Sequence, residues 1–136
     1  MKPFFLKNNN FYLEMDPYQN PLNQHNIKCS DKMKLSQLWE YEDKIIKHSV
    51  STGYITKNYH GWTPNRSSII LQIENDYDID FQPLLWEYKD NVFTTVIDGY
   101  EYILGIDSAN NVILQKNNND FIPDLFHSQW KKINYF

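Results

Sequence analysis

The stretch QLWEYEDKII, from Gln37 to Ile46, is written almost a second time as LLWEYKDNVF, from Leu84 to Phe93. Both contain the pattern Trp-Glu-Tyr-x-Asp, and their tryptophans, Trp39 and Trp86, lie 47 residues apart. A weaker third copy, HSQWKKINYF, places Trp130 another 44 residues along the chain. Self-similarity at a fixed period indicates one supersecondary unit that is repeated. The sequence therefore predicts three repeats.

Each repeat contains about four short strand signals. PFFLKNNNFYLEM aligns with KIIKHSVSTGYIT and with NVFTTVIDGYEYILGI, and further apolar strands follow at 26–29, 68–73 and 111–115. Aromatic and β-branched residues cluster in these segments, and Asn, Asp, Gly and Pro separate them. Three units fall below the usual four blades of a propeller. We therefore predict an all-β protein, a β-trefoil of three four-stranded repeats of about 45 residues, at 1–43, 44–90 and 91–136.

The three repeated tryptophans are predicted to fill one layer of the interior. Large aromatics at matching places in a threefold barrel each bury up to about 200 Å². A Gln beside such a Trp can satisfy backbone groups in the irregular turn next to it. We expect replacement of Trp39 or Trp86 by Ala to destabilise the protein by about 3–5 kcal/mol.

Composition excludes several classes of function. The 136 residues correspond to one domain, and 13 basic against 17 acidic residues give a net charge of −4. The basic residues are scattered apart from Lys131–Lys132, so nucleic acid is not an expected partner. Cys29 is the single cysteine, which excludes an internal disulfide and predicts a buried, reduced thiol.

The N-terminal segment does not resemble a secretion signal. Its apolar run, Phe4 to Leu6, is too short for a signal-peptide core, and no segment approaches the length of a membrane span. We therefore expect a cytoplasmic protein, or one exported by a non-classical route.

Catalytic motifs are not evident. The four histidines, at 25, 48, 60 and 127, lack metal-ligand spacing, and no nucleophile motif accompanies Cys29. Only four glycines occur, and they form no phosphate loop. The sequence predicts neither an enzyme nor a bound metal or cofactor.

Gln37-Leu38-Trp39 resembles the Q-x-W motif of the ricin-B-type trefoil lectins, which carry it once near the end of each repeat. In the second repeat Leu84 replaces the Gln, and in the third the Gln stands directly before Trp130. The resemblance implies a β-trefoil that binds carbohydrate. In that family an Asp follows a Leu on the second strand, a ring stacks on the sugar, and a polar pair precedes the Trp.

Carried over by position, the resemblance implies an incomplete site in each repeat. The first has Glu14 at the acid position, with Asp16 beyond it and Ser36-Gln37 as the polar pair, but no ring near Cys29. The second has Thr56 at the acid position and Pro83-Leu84 as the pair, and the third has Gly105 and His127-Ser128. The implied carbohydrate-binding residues are Glu14, Asp16, Gln37, Asp107, Gln115 and His127. The alternative is that these carboxylates belong to turns or to the open surface.

The loop from Lys57 to Arg66 is a second candidate region for binding. It is long for a hairpin and brings Tyr59, His60 and Trp62 close together, as binding loops often do. A loop packed on its own rings is the alternative.

Two functions remain open from the sequence. The first is a non-catalytic module for glycans or glycoproteins, with millimolar sites worth about −4 kcal/mol each and added strength from several sites or from homo-oligomers. The second is a trefoil that has lost its sugar sites and binds protein, as a protease inhibitor, a toxin-complex component or an adaptor.

Overall fold

The computed structural model describes residues 2–19, 24–58, 69–73, 82–117 and 126–135. In these ranges the chain consists of strands and one short 3₁₀ turn, Leu35–Gln37, so the predicted all-β class is confirmed. None of these residues forms a helix long and apolar enough to cross a membrane. The strands are β1 Phe4–Asn8, β2 Phe11–Gln19, β3 Gln24–Ser30, β4 Trp39–Glu42, β5 Ile45–His48, β6 Tyr54–Lys57, β7 Ile69–Gln72, β8 Trp86–Lys89, β9 Val92–Ile97, β10 Tyr100–Ile106, β11 Val112–Lys116 and β12 Lys131–Asn134.

The repeated octet encodes a tight hairpin. In the first copy β4 pairs with β5, and the two residues between them, Asp43 and Lys44, have φ of 53° and 65°. In the second copy β8 pairs with β9, and Asp90 and Asn91 have φ of 52° and 65°. Two successive residues with positive φ form the turn whose twist matches that of paired strands. The Asp of the motif therefore marks the first turn residue in both copies.

A third antiparallel strand pair is formed by segments near the two ends of the chain. β12 begins directly after Trp130 and pairs antiparallel with β1, from Lys131 opposite Lys7 to Asn134 opposite Phe4. The pairs β4–β5, β8–β9 and β12–β1 thus each begin at or directly after one of the repeated tryptophans.

The remaining strands form three further hairpins, β2–β3, β6–β7 and β10–β11. One sheet has the order β12-β1-β2-β3-β7-β6-β5-β4, with an extra pairing of β1 with β4, and a second has the order β11-β10-β9-β8. Each of these hairpins follows one of the tryptophan strand pairs in the chain, so the alternation of the two kinds of pair recurs three times.

Each copy of the motif is bonded to the tryptophan of the next copy. The Tyr41 hydroxyl donates to the Trp86 carbonyl at 2.5 Å, and the Trp86 N–H donates to the Lys44 carbonyl at 2.7 Å. These bonds join the turn of one hairpin to the start of the following one. The second copy repeats both bonds, at 2.5 and 2.6 Å, with Tyr88, Asn91 and Trp130.

The three tryptophans lie in the core, as predicted. Trp39, Trp86 and Trp130 are each 0% exposed and belong to one continuous apolar cluster. The Trp39 indole N–H donates to the Leu13 carbonyl at 2.9 Å, and Trp130 makes the same bond to Leu104 at 2.9 Å. The Trp86 indole N–H finds no acceptor among the described residues.

We expect Trp39→Phe to be more destabilising than Trp86→Phe by about 1–3 kcal/mol. Both changes remove similar apolar volume, but only the first leaves a buried carbonyl, that of Leu13, without its donor. Denaturant unfolding of the two variants measures the difference directly. Trp130→Phe is the matched control and should group with Trp39→Phe. Equal losses at all three positions would contradict this account.

Lys44 predicts a second effect on stability, because its positive φ is unfavourable for a residue with a side chain. Gly should therefore be more stable than Ala at this position by about 1 kcal/mol, although Ala is the more restricted residue when unfolded. Both changes remove the exposed 2.7 Å ion pair between Lys44 and Glu87, so its loss does not contribute to the difference in stability between the two variants. Thermal melting of Lys44→Gly and Lys44→Ala provides the comparison, and a more stable Ala variant would refute the turn assignment.

Candidate functional site

The first repeat brings its acid and its amide into contact. Glu14 lies on β2 and is 1% exposed, and Gln37 ends the 3₁₀ turn and is 0% exposed. The Gln37 Nε2 donates to Glu14 Oε1 at 3.0 Å and to the Lys32 carbonyl at 2.6 Å, while its Oε1 accepts from the Lys34 N–H at 2.8 Å. The Gln thus satisfies backbone groups of the turn before Trp39, as predicted, and also fixes the carboxylate.

Two lysines cover Glu14, and the resemblance to the lectin motif assigned a role to neither of them. Lys34 Nζ lies 3.2 Å from Oε1 and Lys28 Nζ lies 3.5 Å from Oε2, and their side chains are 49% and 46% exposed. Lys28 is the cross-strand partner of Glu14, so aligning the two strands of the hairpin would have identified it. Glu14 is therefore a buried carboxylate under two ammonium groups rather than a turn or surface acid. Its Oε2 accepts no hydrogen bond within the described chain.

Asp16 lines a cavity and makes no hydrogen bond with Glu14 in the described chain. Its Oδ1 accepts from the Tyr18 N–H at 3.0 Å. The cavity has a volume of about 360 Å³ and lies between the β2–β3 hairpin and the turn that precedes β11. Tyr18 is 73% exposed and supplies an open ring on β2 that the motif comparison did not identify. The cavity is lined by Asp16, Asn26, Ile27, Lys28, Asn110, Asn111 and Val112.

Asp107 organises the turn on the other side of this cavity. Its Oδ1 accepts from the N–H groups of Ala109 and Asn111, both at 2.9 Å, and its Oδ2 accepts from Asn111 Nδ2 at 3.3 Å. Such bonds are typical of an aspartate that holds its own turn. Both carboxylate oxygens are occupied, so Asp107 acts here through the residues it positions.

The acid position of the third repeat has no room for a side chain. A Cβ on Gly105 would overlap the ring of Phe126 and the His127 carbonyl. His127 itself is exposed, and its backbone forms a two-bond bridge with Ile106 at 2.9 and 3.0 Å. The third repeat therefore has a phenyl ring against the strand where the first has a carboxylate.

Gln115 and His127 do not join the other predicted residues. Gln115 is half-buried on β11, where it pairs with Ile103. In the described part of the chain, no hydrogen bond or ion pair connects either side chain to Glu14, Gln37 or the cavity.

In the second repeat the side chain at the acid position is buried and bonded to the backbone. Thr56 is buried, and its hydroxyl donates to the Gln82 carbonyl at 2.5 Å. Leu84, one of the pair before Trp86, donates its N–H to the Ile55 carbonyl at 3.1 Å. The predicted loop residues Tyr59, His60 and Trp62 lie outside the described residues.

His48 forms a hydrogen bond with the backbone of Ser36, one of the polar pair in the first repeat. Its Nε2 donates to the Ser36 carbonyl at 2.9 Å, and its Nδ1 faces the Ser51 hydroxyl at 2.7 Å. The ring also packs edge-on against Trp39, with centroids 5.1 Å apart. Burial lowers the pKa of His48, because the charged ring would lose its solvation.

Cys29 connects the first and third repeats through a hydrogen bond. Its thiol donates to the Asn110 carbonyl at 3.1 Å. Burial, followed by the charges of Glu14 and Asp107, raises the pKa of Cys29 to about 11. The thiolate needed for nucleophilic chemistry is therefore scarce at neutral pH. Within the described ranges, no group of three His, Cys, Asp or Glu residues could hold a metal ion.

We expect acid to destabilise the protein through His48. The pKa is lower in the folded state, so the unfolded chain takes up the proton first as pH falls below about 6.5. The stabilisation is present above that pH and is lost as pH falls toward the folded-state value. His48→Gln should flatten the change in urea midpoint between pH 7.5 and 5, whereas His127→Gln, at an exposed position, should not. An unchanged slope in His48→Gln would exclude this contribution.

The sequence matches no family model and no curated protein. The structure is similar to the crystal structure of the earthworm R-type lectin C-half in complex with GalNAc, with a TM-score of 0.65 and 17% sequence identity. The alignment covers 98% of this chain and 99% of the lectin chain. The two chains therefore share a fold.

Proposed function

We propose that the protein is a carbohydrate-binding module without catalytic activity, built as a β-trefoil from repeats at 1–43, 44–90 and 91–136. Three strand pairs with the same relation to Trp39, Trp86 and Trp130 support the threefold arrangement. The end-to-end likeness to a lectin solved with GalNAc supports glycans or glycoproteins as partners. Fold alone does not assign a function, so the site must carry the proposal.

The observation that carries the proposal is the 3.0 Å hydrogen bond between Gln37 and Glu14. It joins the two residues that the Q-x-W resemblance assigns to sugar recognition, from segments 23 residues apart in sequence. A carboxylate held in one orientation accepts hydrogen bonds from vicinal hydroxyls, and the amide already fills the role of its positioning partner. Neither the second nor the third repeat retains this pair.

Lys28 and Lys34 set how a sugar would approach. Their half-exposed side chains place an ammonium group near each oxygen of Glu14, and each ammonium carries three donors. Sugar hydroxyls can accept from the lysines and donate to the carboxylate once either lysine swings aside. The loss of one lysine–Glu14 ion pair offsets part of the binding free energy gained from the sugar. This agrees with a millimolar site, whose binding free energy is about −4 kcal/mol.

A glycan array followed by titration of N-acetylgalactosamine and of any array hit tests the proposal. We expect Glu14→Gln to weaken binding by about tenfold or more, since the anionic acceptor is lost. Glu14→Asp, which carries the acid found in the lectin family, should retain binding. Glu42→Gln is the matched control, because Glu42 is exposed in the β4–β5 hairpin.

Thermal melting of each variant separates a lost contact from a lost fold. Glu14→Gln leaves Lys28 and Lys34 without their partner, so some loss of stability is expected at a constant circular dichroism spectrum. If the wild-type protein binds no glycan at millimolar concentrations, the carbohydrate proposal fails. Equal binding by wild type and Glu14→Gln would remove the Glu14–Gln37 pair from the site.

A further inference from the structure

One cavity is lined by Asp16, predicted for one sugar site, and by the turn that Asp107, predicted for another, holds in place. Asp16 lies on β2 of the first repeat, and Asp107 holds the turn of the third repeat that presents Asn110 and Asn111. The cavity between them, about 360 Å³, falls within the roughly 300–1,000 Å³ of small-molecule pockets. Neither repeat forms this cavity alone.

The lining of the cavity suits a ligand with many hydroxyl groups. Its polar groups are one carboxylate, one ammonium and three amides, and amides both donate and accept. In the described chain the side chains of Asn26 and Asn110 make no hydrogen bond, and Asp16 uses one carboxylate oxygen. Ile27 and Val112 also line the cavity, but both are buried and belong to the core, so its accessible lining is chiefly polar. Unfilled donors and acceptors of this kind match the hydroxyl groups of a pyranose.

The rim on the third repeat is held in place before any ligand arrives. Asn110 has φ of 62°, and its N–H donates to the Asp107 carbonyl at 3.0 Å while its carbonyl accepts from Cys29 Sγ at 3.1 Å. The thiol bond ties the turn to β3, which forms the opposite wall. Polar groups held in this way lose less conformational freedom when a ligand binds.

Lys28 connects the cavity to the Glu14–Gln37 pair. It is the cross-strand partner of Glu14, its ammonium lies 3.5 Å from the Glu14 carboxylate, and its side chain also lines the cavity. Asn26, two residues earlier on β3, lies on the same exposed face of that strand. The cavity therefore opens next to the Glu14–Gln37 pair, at a distance spanned by one lysine side chain.

We propose that the cavity is a second subsite of the same carbohydrate site and takes the sugar unit next to the one held by Glu14 and Gln37. The inference rests on the proposed function and narrows its ligand class to glycans of two or more units. One unit contacts the carboxylate and amide of the first repeat. The neighbouring unit contacts Asp16, Asn26 and the Asn110 turn.

Paired titrations of a monosaccharide and a disaccharide test the second subsite. The probes are N-acetylgalactosamine with GalNAcβ1-4GlcNAc, N-acetylglucosamine with chitobiose, and galactose with lactose. For the pair that binds, the wild-type protein should bind the disaccharide about tenfold or more tightly than the monosaccharide, as expected for about 1.4 kcal/mol of added contact.

Variants of the cavity residues should remove only the tighter binding of the disaccharide. Asn26→Ala and Asn110→Gly are expected to bring the disaccharide down to the affinity of the monosaccharide and to leave the monosaccharide unchanged. Glu14→Gln should weaken both sugars. Asn9→Gly is the matched control for Asn110→Gly, because Asn9 is an exposed turn residue with φ of 54°. Its disaccharide advantage should equal that of the wild type.

Failure of the subsite and failure of the function give different results. A wild-type protein that binds both members of a pair equally, or cavity variants that keep the full advantage, would overturn the subsite while carbohydrate binding stands. If no pair binds at all, both proposals are overturned.

Discussion

The hydrogen bonds from one copy of the Trp-Glu-Tyr motif to the next tryptophan determine how the repeats fit together. Tyr41 and the Lys44 carbonyl hold the backbone of Trp86 on both sides, and the next copy does the same for Trp130. The turn must have two residues with positive φ for its carbonyl to point that way. Because the bonds run between repeats, spacing, turn geometry and core position constrain one another.

That constraint explains which features could be predicted from the sequence. The strand class and the burial of Trp39 depend on a local pattern that is repeated, and the backbone role of Gln37 depends on its place beside that Trp. The cover over Glu14 and the cavity beside Asp16 depend on register and on a contact between residues 81 apart, Cys29 and Asn110. Strand alignment could have identified Lys28, but no periodicity in the sequence specifies the contact between Cys29 and Asn110, so the cavity required the structure.

The three segments keep the strand pairs beside the tryptophans and differ at the acid positions. A change at Trp39 or its counterparts disturbs close packing, whereas Glu14, Thr56 and Gly105 lie at the acid positions outside the core cluster. These positions hold a carboxylate under two lysines, a hydroxyl bonded to the Gln82 carbonyl and a glycine against Phe126. Similar strand pairs beside the three tryptophans therefore do not imply three similar binding sites.

The strand pair β12–β1 gives the domain a high contact order. The hairpins β4–β5 and β8–β9 close over two residues, but β12 meets β1 only when opposite ends of the described chain come together. The loop-closure entropy of that step is the largest of the three pairs and is compensated only by contacts formed afterwards. The β12–β1 pair therefore forms by a non-local event, and we expect it to form more slowly than the β4–β5 and β8–β9 hairpins.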